Sequence, residues 1–396
     1  MQVSNMPRLV GSSAIGVMLA LLLAAQALSS VSTRTAPALA VSLFPANGIA
    51  RQELAFTNFT AAASDPENIA IAAQAASGLA TDALRSEPLA ARGYVILALA
   101  QPDEAKRRGL VEAMTRVNRR DLALQGMALQ QHLADSDYPR TIDTLDQILR
   151  VHPKYSDEFF PVLTQALAID ETIPEFARML DGSSPWHGRF LTYAVGKKET
   201  LRNLASLRQQ IEVDDENFDR RLIAGLVGAG DVDSAEGLFR HITGAKDSLA
   251  SSGKIDWKSA YPPFEWQLWD QPGFRAQTSQ DGDQLELSVR PGKGGLVAAR
   301  LLRAPAVPFE IRVAHRIAPS EQVRDVRLQL TCANATVPFY DERLSGESKG
   351  FRIQALPADC DHFLLGINAR AWSGRSALGG TIDSIEIVPL SGRSPA

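Results

Sequence analysis

Apolar residues recur along this chain at two different spacings, and the spacing changes near residue 254. Between residues 36 and 253 they return every three or four positions, which is the spacing of one face of an α-helix. Beyond that point, short runs alternate between apolar and polar residues, as in 284–289, and Gly, Pro and Asp separate them. Alternation of this kind is typical of a strand with one buried face. The pattern therefore predicts a helical region followed by a C-terminal antiparallel β-sandwich of jelly-roll type.

The segment that joins the two regions carries paired prolines among large aromatic residues. Proline lacks an amide hydrogen and cannot continue a helix, and it favours extended geometry in the residue before it. Large aromatic rings are buried most economically where two domains meet. The sequence therefore predicts a seam between a helical domain and a β domain. Its residues are Trp257, Tyr261, Pro263, Phe264, Trp266 and Trp269.

An uncharged, mostly apolar run covers residues 9–28. About 20 apolar residues at 1.5 Å per residue are enough to cross the hydrocarbon core of a membrane. Arg8 precedes the run, and because cationic flanks tend to stay in the cytoplasm, we expect the rest of the chain to be exported. The run is either an uncleaved anchor, which we favour, or a signal peptide cleaved at the small residues of 25–27 or 38–40.

The length of 396 residues suits two domains and a targeting segment better than one core. Basic and acidic residues are interspersed and the net charge is only -4, so a nucleic-acid partner has no electrostatic basis. The predicted segments are 1–35 as a signal anchor or signal peptide, 36–253 as a helical repeat domain, 254–391 as a β-sandwich domain and 392–396 as a disordered tail.

Two sets of residues in the helical region have the same spacing to within one position, and each ends in a proline: Ala75, Leu79, Ala83 and Pro88, then Thr141, Leu145, Ile148 and Pro153. This pattern resembles degenerate tetratricopeptide repeats over roughly residues 36–250, although most aromatic positions of that family are replaced here. The resemblance implies an α-solenoid of stacked helix pairs with a concave surface for protein partners. The alternative is an irregular helical domain without repeats.

The chain has only two cysteines, Cys332 and Cys360, and both fall in the β region. Two cysteines cannot form a zinc site of the paired-cysteine kind, and they allow a single disulfide. In an oxidising periplasm this bond would stabilise the fold by about 3–4 kcal/mol through loop closure. We predict the disulfide; the alternative is a pair of buried free thiols.

Residues 379–387 resemble the closing strand of galactose-binding-like and carbohydrate-binding modules. Modules of that kind stack sugar rings on exposed aromatic side chains, and polar side chains bind the hydroxyl groups. The alternative is that the aromatic residues of this region belong to the core. The glycan-binding candidates that the resemblance implies lie in turn-rich, polar segments: Trp372 with Arg370 and Arg375, then Phe339 with Tyr340.

The chain as a whole resembles membrane-anchored envelope proteins of Gram-negative bacteria that carry a repeat arm and a C-terminal β domain. The likeness rests on residues 263–266 at the seam, on residues 185–186 in the arm, and on the two cysteines. Such proteins are associated with export or assembly of extracellular polysaccharide. The resemblance implies a single-pass protein of the inner membrane, tethered through 9–28, with its C-terminal body in the periplasm.

Catalytic sequence motifs are not found: the chain has no Gly-x-Ser-x-Gly elbow, no His-Glu-x-x-His helix and no phosphate-binding loop. We therefore expect no enzyme, no cofactor and no metal. The leading functional hypothesis is a periplasmic scaffold or adaptor that binds protein partners of the envelope through its helical repeats. The first alternative is a glycan-binding protein that uses its β-sandwich, with polysaccharide as ligand. The second alternative is a carbohydrate-active enzyme.

Overall fold

The structure, a computed structural model, describes residues 6–245, 253–305 and 308–390, without the side chains of residues 6–10 and 12. The predicted tail at 392–396 and the first five residues of the predicted leader lie outside the described residues. The described chain is helical as far as Thr243 and forms strands from Gly253 onward. A helical region therefore precedes an antiparallel β region, as the change of apolar spacing predicts.

Helices account for most of the first part of the chain. Their bounds are α1 (Met6–Ser32), α2 (Pro37–Leu43), α3 (Gly48–Ala62), α4 (Ile69–Ser86), α5 (Ala91–Ala100), α6 (Glu104–Val117), α7 (Leu122–Ala134), α8 (Tyr138–Val151), α9 (Ser156–Leu167), α10 (Ile173–Met179), α11 (Pro185–Ala194), α12 (Leu201–Arg208), α13 (Glu216–Gly228) and α14 (Val232–Thr243).

Aspartate residues stand directly before the first residue of several helices. A carboxylate at this position accepts hydrogen bonds from backbone amides of the first turn, which have no partner within the helix. The caps are Asp103 for α6, Asp121 for α7, Asp137 for α8, Asp215 for α13 and Asp231 for α14. Short polar segments therefore separate the helices at defined positions.

The backbone divides into two compact units, Met1–Phe159 and Phe160–Ala396. The first unit contains α1 to α8 and the start of α9. The second contains the rest of α9, then α10 to α14, and all of the strands. The predicted domain border at residue 253 therefore falls inside the second unit.

Helix α1 is long and apolar enough to cross a membrane over Ser13–Ser32, a property that signal sequences share. Its apolar side chains are exposed, with Leu21 at 67% of its full accessible area. The C-terminal end of α1 is held by polar contacts, because Ser29 Oγ donates to the carbonyl of Ala40 at 2.7 Å. Asn47 Nδ2 in turn donates to Ser29 Oγ at 2.9 Å. This end of α1 is therefore fixed to the segment that follows it.

Small apolar residues form the contact between α3, α4 and α5. Ala55, Ala76 and Ala80 are buried there together with Ile96, and alanines let helix axes approach closely. Ala75, which the repeat pattern places on the crossing face of α4, is exposed instead. The corresponding set in α8, Thr141, Leu145 and Ile148, is buried as that pattern predicts.

The strands follow the short alternating runs of the sequence. Their bounds are β1 (Gly253–Lys254), β2 (Gln267–Leu268), β3 (Asp270–Gln271), β4 (Phe274–Thr278), β5 (Leu285–Val289), β6 (Gly294–Arg303), β7 (Phe309–Ala318), β8 (Val326–Cys332), β9 (Tyr340–Arg343), β10 (Ser348–Ile353), β11 (His362–Arg370) and β12 (Leu378–Pro389).

The strands form two antiparallel sheets. One has the order β10-β7-β12-β5-β4-β3, with β1 added beside β12, and the other has the order β2-β6-β11-β8-β9. Phe309 of the first sheet stacks on Phe363 of the second, with ring centroids 6.1 Å apart. Alternate residues of β5 and β8 are buried. The two sheets therefore pack face to face around an apolar core, as a sandwich.

The predicted seam is built mainly from buried rings. Trp257, Phe264 and Trp266 are buried, and the rings of Trp257 and Trp266 lie 4.9 Å apart. Phe264 stacks at 5.3 Å on Phe239 of α14. Tyr261 lies half-buried with its ring 6.4 Å from that of Phe239. These rings pack α14 against the sandwich within the second unit.

Backbone contacts fasten the same segment to β6. The amide of Leu301 donates to the carbonyl of Pro263 at 2.7 Å, and the amide of Trp269 donates to the carbonyl of Val297 at 3.0 Å. Residues 264–268 alternate between apolar and polar types as in a strand, yet only the last two of them form β2. The amide of Trp266 donates to the carbonyl of Lys258 within the joining segment and so does not pair with a neighbouring strand.

Candidate functional site

The two ends of the sandwich differ in what covers them. Strand β11 runs from His362 to Arg370, so its ends lie about 26 Å apart at roughly 3.3 Å per residue. Its antiparallel partner β6 pairs Arg303 with His362 and Gly294 with Arg370. We name the end that contains Arg303, Cys332 and His362 the helix end. We name the end that contains Lys293, Arg370 and Trp372 the loop end.

A disulfide joins Cys332 to Cys360 at the helix end, with the Cα atoms 5.4 Å apart. Cys332 is the last residue of β8 and pairs across the sheet with Phe363 of β11. The disulfide therefore links the end of one strand to the segment that leads into its neighbour.

The second predicted aromatic pair also lies towards the helix end, packed against the core. Phe339 is half-buried, and its ring centroid lies 6.5 Å from that of Phe363. The ring centroid of Tyr340 lies 6.3 Å from that of Phe351. Burial raises the pKa of the Tyr340 hydroxyl, and its hydrogen bond with Glu342 raises it further. Neither ring is presented as a free platform, and neither lies near Trp372.

A charged cluster connects α14 to the sandwich at the helix end. Glu236 is buried, and its carboxylate accepts hydrogen bonds from Arg303 at 2.6 and 3.1 Å. Nε2 of His362 lies 2.9 Å from the same carboxylate. Burial by itself would raise the pKa of Glu236, but the hydrogen bonds of Arg303 and His362 outweigh it, so the pKa lies below its ordinary value.

The ligand atoms of Asp233, Glu236 and His362 lie within 4.8 Å of one another, close enough to hold a metal ion. Two donor nitrogens of Arg303 already bond to the Glu236 carboxylate, and Asp233 lies 3.6 Å from the same guanidinium. Arginine supplies the positive charge that a metal would bring. The chemistry of this cluster fits an ion-pair network between helix and sheet better than a metal centre.

Two turns packed against each other form the loop end. The amide of Lys293 donates to the carbonyl of Arg290 at 3.1 Å and closes the first turn. The amide of Arg375 donates to the carbonyl of Trp372 at 3.1 Å and closes the second. The amide of Ala371 donates to the carbonyl of Lys293 at 3.0 Å and ties one turn to the other.

Glycine allows this close approach. Gly294 has a φ of +154°, and a Cβ atom there would lie 2.6 Å from the Cα of Arg370. A larger residue at this position would push the two turns apart. The cations and the indole of the loop end are therefore carried on one fixed backbone platform.

Trp372 is the exposed aromatic residue of the loop end, with 49% of its accessible area in solvent. The guanidinium carbon of Arg370 lies 4.2 Å from the centroid of its ring. A cation over an aromatic face attracts the ring, and this contact orients the indole while leaving its remaining surface open. The structure thus brings Arg370 and Trp372 together as the sequence predicts, and the following turn carries Arg375.

A groove runs across the outer face of the first sheet towards the loop end. The groove encloses about 920 Å³, within the usual range of small-molecule sites. A second cavity of about 220 Å³ shares Pro272 and Phe274 with it and is also lined by Lys293 and Arg370. The polar side chains that line the larger groove are those of Asp270, Gln271, Arg275, Gln277, Glu286, Ser288, Arg290 and Thr381.

Strand register explains why these side chains share one surface. Gln277 of β4, Glu286 of β5 and Thr381 of β12 stand side by side in one row of the sheet. In the next row Ser288 stands between Arg275 and Gly379. Gly380 has a φ of +137°, a backbone conformation that residues with a Cβ atom rarely adopt.

Charges are balanced inside the groove and unbalanced at the loop end. Asp270 forms an ion pair with Arg275 at 3.2 Å, and Gln277 donates to Glu286 at 2.7 Å. By contrast, the exposed cations of the loop end form no ion pair with any residue that the structure describes: Arg290, Lys293, Arg370 and Arg375. Clustered cations without counter-charges create a locally positive potential.

The residues of the groove were not among the sequence candidates. Outward-facing polar residues of an antiparallel sheet have the same pattern whether they meet solvent or a ligand. The one local signal was the glycine pair 379–380 inside a strand, since glycine there often marks close approach of another group. The likeness of that run to sugar-binding modules does not identify the residues beside it in the sheet.

No family model matches this chain, and no curated protein matches it in sequence. Among solved structures, one that aligns is the carbohydrate-binding module TmCBM61 in complex with beta-1,4-galactotriose. The alignment has 10% identity, covers 34% of this chain and 99% of that module, and has a TM-score of 0.21. A score this low does not establish a shared fold.

Proposed function

We propose that the C-terminal sandwich binds carbohydrate at its loop end. In this proposal Trp372 is the platform on which a sugar ring stacks, and the adjoining groove binds the hydroxyl groups of neighbouring sugars. The observation that carries the proposal is the position of Trp372. It lies half in solvent and is held by Arg370, which lines the small cavity next to the groove. An indole in solvent costs free energy that binding of an apolar sugar face would recover.

The charge of the loop end favours an acidic polysaccharide over a neutral one. Lys293 and Arg375 are exposed and form no ion pair with a described residue, so a carboxylate on the ligand would meet cations that need not leave another partner. Charge-assisted hydrogen bonds of this kind are about twice as strong as neutral ones. The polar residues of the groove, such as Gln277 and Thr381, suit hydroxyl groups of either kind of chain.

Calorimetric titration of the full chain in detergent micelles tests the proposal, with polygalacturonate, alginate, galactan and dextran as ligands. We expect saturable binding, tighter for the two polyuronates. Trp372→Ala should weaken binding at least tenfold, while Trp372→Phe should retain part of it. Tyr138→Ala is the matched control, because it removes an exposed aromatic from the first unit.

Two results would overturn the proposal. One is the absence of heat from the folded chain with all four polysaccharides. The other is binding that Trp372→Ala leaves unchanged.

We further propose a setting for this activity. Helix α1 would tether the chain to the inner membrane with the sandwich in the periplasm, and the helical region would dock to envelope proteins as a degenerate tetratricopeptide array. The exposed apolar surface of α1 supports the tether. The jelly-roll connection, the absence of enzyme activity and a place in extracellular polysaccharide assembly stay predictions. Mass spectrometry of the mature protein tests the tether, because loss of residues before 28 would contradict it.

A further inference from the structure

The first unit contains a polar cavity of about 180 Å³ between α6, α7 and α8 that the carbohydrate proposal does not use. Its charged and amide-bearing walls are made by Arg116, Arg119, Gln125, His132, Arg140, Asp143 and Gln147. At about 30 Å³ per water molecule, the space corresponds to roughly six waters. It is too small for a polysaccharide chain, and it suits one ionised group with the stem that carries it.

Gln125 is the unusual residue of this cavity. It lies on α7 with only 3% of its accessible area exposed. Its side-chain Nε2 is buried and has no hydrogen-bond acceptor among the described residues. Most buried polar groups in proteins are hydrogen-bonded, because an unpaired one loses its hydration without compensation. An amide nitrogen only donates, so the missing partner is an acceptor.

The other walls also present more donors than acceptors. Arg119 forms no ion pair with a described residue, whereas Arg116 pairs with Glu112 at 2.6 Å. Arg140 lies 3.5 Å from Asp137, at a long and exposed contact. The guanidinium groups have donors and no acceptors, and their planar fork matches a carboxylate in two-point contact.

Two further residues of the cavity walls, His132 and Asp143, add no positive charge. Burial lowers the pKa of His132, so its imidazole is uncharged at neutral pH. Asp143 is the acidic residue among those that line the cavity. Glu112 and Asp137 offset the charges of Arg116 and Arg140, so Arg119 supplies the wall cation that has no ion pair among the described residues.

We propose that this cavity binds a carboxylate. The group would accept hydrogen bonds from Nε2 of Gln125 and from the guanidinium of Arg119, which would satisfy the unpaired amide and the unpaired cation together. A small dicarboxylate and an acidic side chain of a peptide share this chemistry. The proposal rests on the first unit alone, and it stands or falls separately from carbohydrate binding.

The test measures binding of citrate and of an acetylated tetraglutamate peptide to the full chain in detergent, by calorimetry at constant ionic strength. We expect saturable binding of at least one probe. Arg119→Ala should weaken it at least tenfold. Arg120→Ala is the matched control, because it removes the neighbouring cation, which does not line the cavity. A peptide that binds at least tenfold tighter than citrate would assign the site to a protein partner, and the reverse would assign it to a free carboxylate.

Gln125→Leu supplies a second readout that a structural role would not produce. The substitution keeps the volume and removes the unpaired amide, so the melting temperature without ligand should stay constant or rise. The same variant should lose at least tenfold in affinity for the probe. The proposal is overturned if neither probe binds, if Arg119→Ala binds like the unaltered chain, or if Gln125→Leu lowers the melting temperature while binding is retained.

Discussion

At the helix end of the sandwich Arg303 donates hydrogen bonds to the buried carboxylate of Glu236 on α14, and the same end carries the disulfide and the stacked rings of Phe239 and Phe264. At the loop end Arg370 instead lies on the ring of Trp372, and neither residue contacts a carboxylate of the part of the chain that the structure describes. Both ends combine arginine with aromatic side chains. Their difference lies in what each arginine faces.

This contrast separates residues that hold the fold from residues available for binding. A cation paired with a buried acid is costly to remove, because the acid would then be buried without a partner. An arginine on an exposed indole contributes little to folding, since both groups are hydrated in the unfolded chain as well. We therefore expect substitutions at the helix end to change stability and substitutions at the loop end to change binding.

Replacing Trp266 should have the largest effect. Its side chain is 1% exposed, packs on Trp257 and donates from Nε1 to the carbonyl of Asp256 at 2.8 Å. Trp266→Ala should lower the free energy of unfolding of the second unit by about 3–5 kcal/mol. Denaturant unfolding followed by circular dichroism measures this change. A loss below about 1 kcal/mol would show that the buried Trp257–Trp266 pair does not hold the seam together.

Removing the disulfide should have a somewhat smaller effect. The double substitution Cys332→Ala and Cys360→Ala frees a loop whose ends are 28 residues apart. Loop entropy predicts a loss of about 3 kcal/mol in the free energy of unfolding. The same measurement on the unaltered chain with and without reductant provides the control. Equal stability of the oxidised and reduced chains would contradict this account of the helix end.

Acid should weaken the helix end through Glu236. Because the pKa of Glu236 is lower in the folded chain than its ordinary value of 4.5, its stabilising contribution is present above that value and is lost as pH falls through the folded pKa. Glu236→Gln should cost about 1–3 kcal/mol at pH 7. It should also flatten the fall in stability below about pH 4.5. An acid profile identical to that of the unaltered chain would exclude Glu236 as a source of the pH dependence.

Substitutions at the loop end should have the smallest effect on stability. Arg375→Ala and Trp372→Ala should each change the free energy of unfolding by less than about 0.5 kcal/mol, since substitutions at exposed positions rarely matter more. Their effect should appear in polysaccharide affinity instead. A stability loss as large as that of Trp266→Ala would place Trp372 among the structural residues and erase the contrast between the two ends.

Much of the architecture follows from local pattern. The switch in apolar spacing predicts the change from helices to strands, and the alternation in β5 and β8 matches their buried faces. Long periodic elements are the easiest to predict, because every residue in them repeats the same signal.

The repeat register and the groove are harder to predict. The repeat pattern places Ala75 on the crossing face of α4, although this residue is exposed. The reason is that α4 is alanine-rich, so that several faces of the helix look equally small and apolar. The groove requires residues of β4, β5 and β12 to meet, and only strand pairing brings them together. The sequence places Trp266 in a seam and Trp372 in a polar turn, but the contacts that bury the one and orient the other involve residues distant in the chain.

Iodide quenching of tryptophan fluorescence tests the central claim most directly. Iodide should reach Trp372 preferentially, because that indole is exposed among cations while Trp186, Trp257 and Trp266 are buried. We predict that polygalacturonate removes most of the quenchable emission of the full chain, and that Trp372→Phe lacks this component from the start. Polysaccharide that binds by calorimetry while leaving the quenching of Trp372 unchanged would contradict the account.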